Sequence, residues 1–139
     1  MDGTTRPSLL FLCNKNGGRS QMAAAWARSL GGDAVEVTSA GVSPGTSLNA
    51  DVVTVLDEHG LDTSDENPKA VTEEMIRNAT VVVSLKKDLE LPPRIVGPLY
   101  EVWELADPDG DGLDGVRQTC EDIRIRVTGL LRSLGVAQG

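Results

Sequence analysis

Cys13 and Arg19 stand with five residues between them in the run Cys13-Asn14-Lys15-Asn16-Gly17-Gly18-Arg19-Ser20. A thiol and a guanidinium at that spacing can act on one small anion. The sulfur attacks its centre while the planar fork of arginine donors holds two of its oxygens, a contact that lysine does not reproduce. Asn14, Lys15, Asn16, Gly17 and Gly18 would supply the backbone N–H groups of a cradle around that anion. Gly17 and Gly18 let the chain turn those groups inward, and Asn16 tolerates a left-handed backbone while hydrogen-bonding locally. Ser20 offers the sulfur a hydrogen bond, both before attack and when it leaves. Lys15 has two readings of equal standing, an ammonium that draws in the anion or a solvated surface charge.

Such a spacing occurs by chance in many chains, so the flanking elements decide its meaning. Leu9-Leu10-Phe11-Leu12 reads as a buried parallel strand, and Arg19 to Leu30 places Met22, Ala23, Trp26, Ala27 and Leu30 on one side of a helix. The loop between them lies at the carboxyl end of a strand and at a helix N-terminus. There, outward-pointing N–H groups favour a tetrahedral anion and a thiolate at Cys13.

Strand and helix patterns then alternate. The pattern predicts a strand over Ala34 to Ala40, a turn through Gly41 to Gly45, and a helix from about Asn49 to His59 closed by Gly60. A short helix near Glu73 to Arg77 precedes a valine-rich strand, Thr80 to Ser84, and a fourth strand is expected near Leu99 to Trp103. The last helix runs from about Asp114 to Leu134 with Val116, Cys120, Ile123, Val127, Leu130, Leu131 and Leu134 on one face. This order predicts an α/β fold: a four-stranded parallel sheet with helices on both faces, one domain over residues 1–139, and a site at the carboxyl ends of the strands.

Composition fits an enzyme of that kind. With 139 residues, 40% hydrophobic and 24% charged, the chain is long enough to bury a core and is not of disordered composition. The net charge of −8 argues against nucleic acid or an anionic membrane as the main partner. It does not exclude a small anion, because Arg6, Lys15 and Arg19 face only Asp2 within the first twenty residues. No apolar run approaches the length of a membrane span, and Met1-Asp2-Gly3-Thr4-Thr5 lacks a basic start followed by an apolar stretch. A cytoplasmic location is therefore expected, with the two cysteines as reduced thiols.

Three further features have competing readings. Cys120 is either a second redox thiol or a small hydrophobe on the apolar face of the last helix, and its spacing from Val116, Ile123 and Val127 favours the second. His59 precedes the helix-ending Gly60 and reads as an end-of-helix polar residue rather than a base. Asp107-Pro108-Asp109-Gly110-Asp111-Gly112 copies the first half of a calcium loop, but the twelfth position is Gln118, which supplies no bidentate carboxylate. No metal site is expected.

Cys13 to Arg19, followed by Ser20-Gln21-Met22-Ala23, resembles the low-molecular-weight protein tyrosine phosphatase superfamily, and more narrowly the arsenate reductases built on its fold. Ser39-Ala40-Gly41, Asn67-Pro68-Lys69-Ala70 and Trp103 with Asp107-Pro108 extend the resemblance over almost the whole chain. It implies that Asp107 is the general acid. It also implies one of two reactions on the same cradle: hydrolysis of a phosphate ester, or attack on arsenate leading to arsenite. The surroundings favour arsenate, because Asp109-Gly110-Asp111-Gly112 beside the acid contains no aromatic residue to grip a phosphotyrosine ring.

Thioredoxin-coupled members of the resemblance carry two more cysteines near the third strand, and Val81 to Pro92 contains none. The chain is most similar to the single-cysteine, mycothiol-dependent branch. That likeness implies mycothiol as co-substrate and a mycoredoxin or glutaredoxin-like protein as partner, with glutathione a weaker option and no tightly bound cofactor. The acidic residue of a potassium site in the thioredoxin-coupled type is replaced by Ala24. A non-catalytic anion-binding or arsenic-sensing protein is a further class, disfavoured because Cys13, Arg19 and Asp107 are all present.

Overall fold

The computed structural model describes residues 6–86, 89, 97–105 and 112–136. Four strands, β1 (Ser8–Cys13), β2 (Glu36–Gly41), β3 (Val81–Ser84) and β4 (Leu99–Val102), form one sheet in the order β2-β1-β3-β4. Every pairing is parallel, with Leu12 opposite Ala40 on one side and Ser84 on the other. The expected α/β architecture is thus present.

The sheet is covered on both faces by α1 (Arg19–Gly31), α2 (Ala50–Glu58), α3 (Glu73–Asn78) and α4 (Gly112–Ser133). Side chains alternate across β1, so Leu9, Phe11 and Cys13 join the core built with α1, α2 and α4, while Leu10 and Leu12 pack with Val82 and with Ile76 of α3. Strands buried on both faces need continuous apolar sequence, which is why Leu9–Leu12 and Val81–Val83 show no polar alternation. β4 closes the sheet as an edge strand, with Leu99 and Val102 exposed.

Two helices begin at side-chain caps. Asn49 accepts from the amides of Asp51 and Val52 ahead of α2, and Thr72 accepts from Met75 ahead of α3. α1 does not: its N-cap is Gly18, with no side-chain bond, so its first amides keep their capacity for a ligand. Arg117 of α4 forks onto Glu58 of α2 at 2.7 and 3.0 Å, and this contact lowers the Glu58 carboxyl below its usual range.

The second strand starts later than the sequence pattern predicts. Residues Gly32–Ala34 form a short 3-10 turn, and pairing begins at Glu36, opposite Ser8. Gly31 packs close to Val35 and Leu131, so the end of α1 is tucked against α4 before the chain enters the sheet. Asp107, Pro108 and the calcium-like run up to Asp111 lie outside the described residues.

Candidate active site

The loop after β1 is fixed by its carbonyls. Cys13 O accepts from Val42 N at 3.2 Å, Asn14 O from Ser43 N at 2.8 Å, Lys15 O from Gly45 N at 3.0 Å and Gly17 O from Asn49 N at 2.8 Å. Asn16 O accepts from Gln21 Nε2 at 3.0 Å, and Gly18 O from Met22 N at 2.9 Å. A trans peptide points its N–H opposite to its C=O. Carbonyls held on the flanking loop and helix therefore turn the amides of residues 14–19 the other way. The amide of Asn16 shows which way that is, since it donates to Cys13 Sγ at 3.2 Å.

This fold of the loop needs Asn16 at φ 55°, the left-handed conformation that the sequence suggested for it. Its side chain is wholly buried, donating from Nδ2 to Ser20 Oγ at 2.7 Å and accepting at Oδ1 from Lys69 N at 3.0 Å. Ser20 Oγ lies 2.9 Å from Cys13 Sγ. The sulfur is thus ringed by hydrogen-bonding groups at the bottom of the site, with Cys13 only 3% exposed. Asn16 and Ser20 sit beneath the site and hold the sulfur, whereas Asn14, Lys15, Gly17, Gly18 and Arg19 line it with Cys13.

Arg19, the first residue of α1, is 8% exposed and donates from Nη1 to Leu105 O at 3.2 Å. It thereby joins the cradle to the segment leading toward Asp107, two positions further along the chain. Whether that carboxyl approaches the cradle falls outside the described residues.

The pocket above the sulfur has a volume of about 360 Å3. Its other walls are residues 45–49 and Lys86, which the motif did not identify. Their place follows from topology. β1 leads out to β2 on one side, and the next strand returns to β1's other side, so the crevice between the carboxyl ends of β1 and β3 is the switch point of the sheet. Residues just past β3, Lys86 among them, must border it. Gly41 is another residue whose role the motif left open: a Cβ there would come within 2.6 Å of Asn14 O and 2.9 Å of Asn16 N, so the end of β2 can press on the cradle only as glycine.

Among the described residues no aromatic side chain lines the pocket. Phe11 and Trp103 are core residues with ring centres 6.0 Å apart, and Trp26 packs on His59 at 5.1 Å. His59 is the C-cap of α2, as its position beside Gly60 predicts. Cys120 is fully buried beneath Trp26, whose Nε1 lies 3.3 Å from its sulfur, and burial pushes its thiol up against the opposing effect of that bond. Behind the cradle, burial lowers the Lys69 ammonium and Glu66 partly offsets this. Among the described residues no group of three or more His, Cys, Asp or Glu side chains could hold a metal ion, and no helix is long and apolar enough to cross a membrane.

Comparison with known proteins agrees with this geometry. An arsenate reductase-like protein of Halobacterium salinarum is 35% identical over 93% of this chain and 92% of its own. The glutaredoxin arsenate reductase of Synechocystis is 30% identical over 91% and 97%. The structure of the thioredoxin-dependent arsenate reductase of Corynebacterium glutamicum superposes with a TM-score of 0.84 at 32% identity, covering 96% of this chain and 64% of that longer one. The family model for low molecular weight phosphotyrosine protein phosphatases matches residues 8–92, which include β1, the cradle, α1, β2 and β3. With more than half of its length matched there, the chain belongs to the low molecular weight phosphotyrosine protein phosphatase family.

Proposed function

We propose that the protein is an arsenate reductase that passes arsenic from Cys13 to mycothiol. The observation that carries this reading is the combination of a donor-lined cradle over a buried cysteine with a pocket that has no aromatic wall among the described residues. Arsenate has the shape and charge for the amides of Asn14, Lys15, Gly17, Gly18 and Arg19, and the Arg19 guanidinium takes two of its oxygens. Cys13 Sγ forms a bond to arsenic as one arsenic–oxygen bond breaks, and Asp107 supplies the proton with which that oxygen leaves as water.

The next thiol comes from outside. Cys120 is buried under Trp26, away from the pocket, and Val81 to Pro92 holds no cysteine. The mycothiol sulfur displaces Cys13 from arsenic, restoring the Cys13 thiolate with no change of oxidation state. A mycoredoxin or glutaredoxin-like thiolate then attacks the mycothiol sulfur. A disulfide forms, and arsenic departs with the bonding electron pair as arsenite, a two-electron reduction. Two of the relatives above carry different redoxins in their names, glutaredoxin in one and thioredoxin in the other. The reducing cytoplasm suits this chemistry.

The test measures arsenite formed from arsenate by the purified protein with mycothiol, mycoredoxin and a reducing system, beside hydrolysis of p-nitrophenyl phosphate. Arsenite that depends on mycothiol, and falls at least about a thousandfold in Cys13→Ser, is the expected result. Phosphate release without arsenite, whether mycothiol, glutathione or thioredoxin is supplied, would make the protein a phosphatase.

A further inference from the structure

The pocket is larger than its first occupant. A five-atom oxyanion fills a minor part of a space of about 360 Å3. The oxyanion's place is set by the cradle at the bottom, next to Cys13 Sγ. The described residues that line the pocket beyond the cradle are 45–49 and Lys86.

These walls have a chemical character. Thr46 and Ser47 are exposed hydroxyl residues, Leu48 is half-buried, and Lys86 is half-buried two positions past the end of β3. Among the described residues the lining contains the cations Lys15, Arg19 and Lys86, with no carboxylate and no ring. A thiolate entering there meets positive charge and hydrogen-bond donors.

The direction of attack is also restricted. Cys13 approaches arsenic from below, and the amides and Arg19 surround the oxygens, so a second sulfur reaches arsenic only through the open outer part. Lys86 is among the residues that line this pocket.

Resting on the reductase reading above, we infer that Lys86 and the Thr46–Ser47 rim seat the external thiol, with the Lys86 ammonium holding its sulfur as a thiolate against the arsenic of the Cys13 adduct. A cation beside a thiol favours the ionised form, which is the nucleophile. The thiol gives its proton to solvent, its sulfur bonds arsenic, and the Cys13–arsenic bond breaks to return the Cys13 thiolate. No electrons change hands in this transfer, so Lys86 acts on the rate of transfer and not on the later reduction. The hydroxyls of Thr46 and Ser47 suit a polar, hydroxyl-bearing thiol body rather than an aromatic one.

The experiment compares wild type, Lys86→Ala and Lys86→Arg in arsenite formation, varying mycothiol and arsenate separately across pH. Protection of Cys13 from iodoacetamide by arsenate reports the cradle alone. We expect Lys86→Ala to lower kcat/KM for mycothiol about tenfold, the effect of losing one charge-assisted contact, and to move the pH profile of that parameter upward. Arsenate protection should stay within about twofold of wild type, and Lys86→Arg should restore most of the loss. An unchanged mycothiol profile in Lys86→Ala, or an equal loss of arsenate protection, overturns the inference while leaving the reductase reading intact. Wild-type protein that makes no arsenite with any thiol overturns both.

Discussion

Asn16 combines roles that are usually divided among several residues. Its backbone takes the left-handed turn, its amide points at the Cys13 sulfur, and its side chain ties Ser20 to the Lys69 segment. Asn16→Ala removes the side-chain bonds and strains the turn, and should cost about 3 kcal/mol. Asn16→Gly should recover about 1 kcal/mol of that, because glycine adopts the turn freely. Urea midpoints measure both, and turnover should fall in each variant, since neither can hold Ser20. Equal stability of the two variants would show that the backbone conformation carries no penalty. Cys120 gives the contrasting expectation. Cys120→Ser should keep most turnover and lose about 1–2 kcal/mol from a hydroxyl placed in an apolar site; complete loss of turnover in a folded variant would revive an internal disulfide relay.

At the scale of elements, the cradle is shaped by the chain that follows β2. Residues 42–49 run alongside residues 13–17 and donate amides to their carbonyls, while Gly41 brings the two segments into contact. Gly41→Ala should therefore act on both packing and binding. We expect a destabilisation of about 2 kcal/mol from overpacking, with a rise in KM for arsenate as the Asn14–Lys15 peptide is displaced. A variant with wild-type KM and reduced stability would restrict Gly41 to packing. The elements themselves were largely legible, because apolar runs and caps mark where β1, α1, α2, β3 and α4 stand. The start of β2 was not, since the tuck of Gly31 against Leu131 depends on a helix a hundred residues away in sequence. Lys86 was missed for a similar reason: its place in the pocket comes from strand order, and a single lysine after a strand carries no pattern of its own.

The whole molecule sets a cationic pocket inside a chain of net charge −8. Long-range attraction and repulsion of an anion then oppose each other, and only charges close to the mouth favour entry. Lys15 is exposed on the lining. If it steers arsenate, Lys15→Ala should raise KM about threefold at low salt with kcat unchanged, and the difference should fade as added salt shortens the screening length. Kinetics identical to wild type at low salt would assign Lys15 to the solvated surface. The same mouth-to-bottom arrangement could not be read from the composition, which reports only the sum of charges.

The pairing of every carbonyl from Cys13 to Gly18 has a consequence for life inside a cell. A frame of fixed amides recognises outline and charge, and inorganic phosphate presents the same outline and charge as arsenate. Phosphate should therefore occupy the protein for much of the time as a competitor present at all times, raising the apparent KM for arsenate in proportion to its concentration. Selectivity must then come after capture, from the readiness with which arsenic, unlike phosphorus, lets a second sulfur replace the first and then surrenders to reduction.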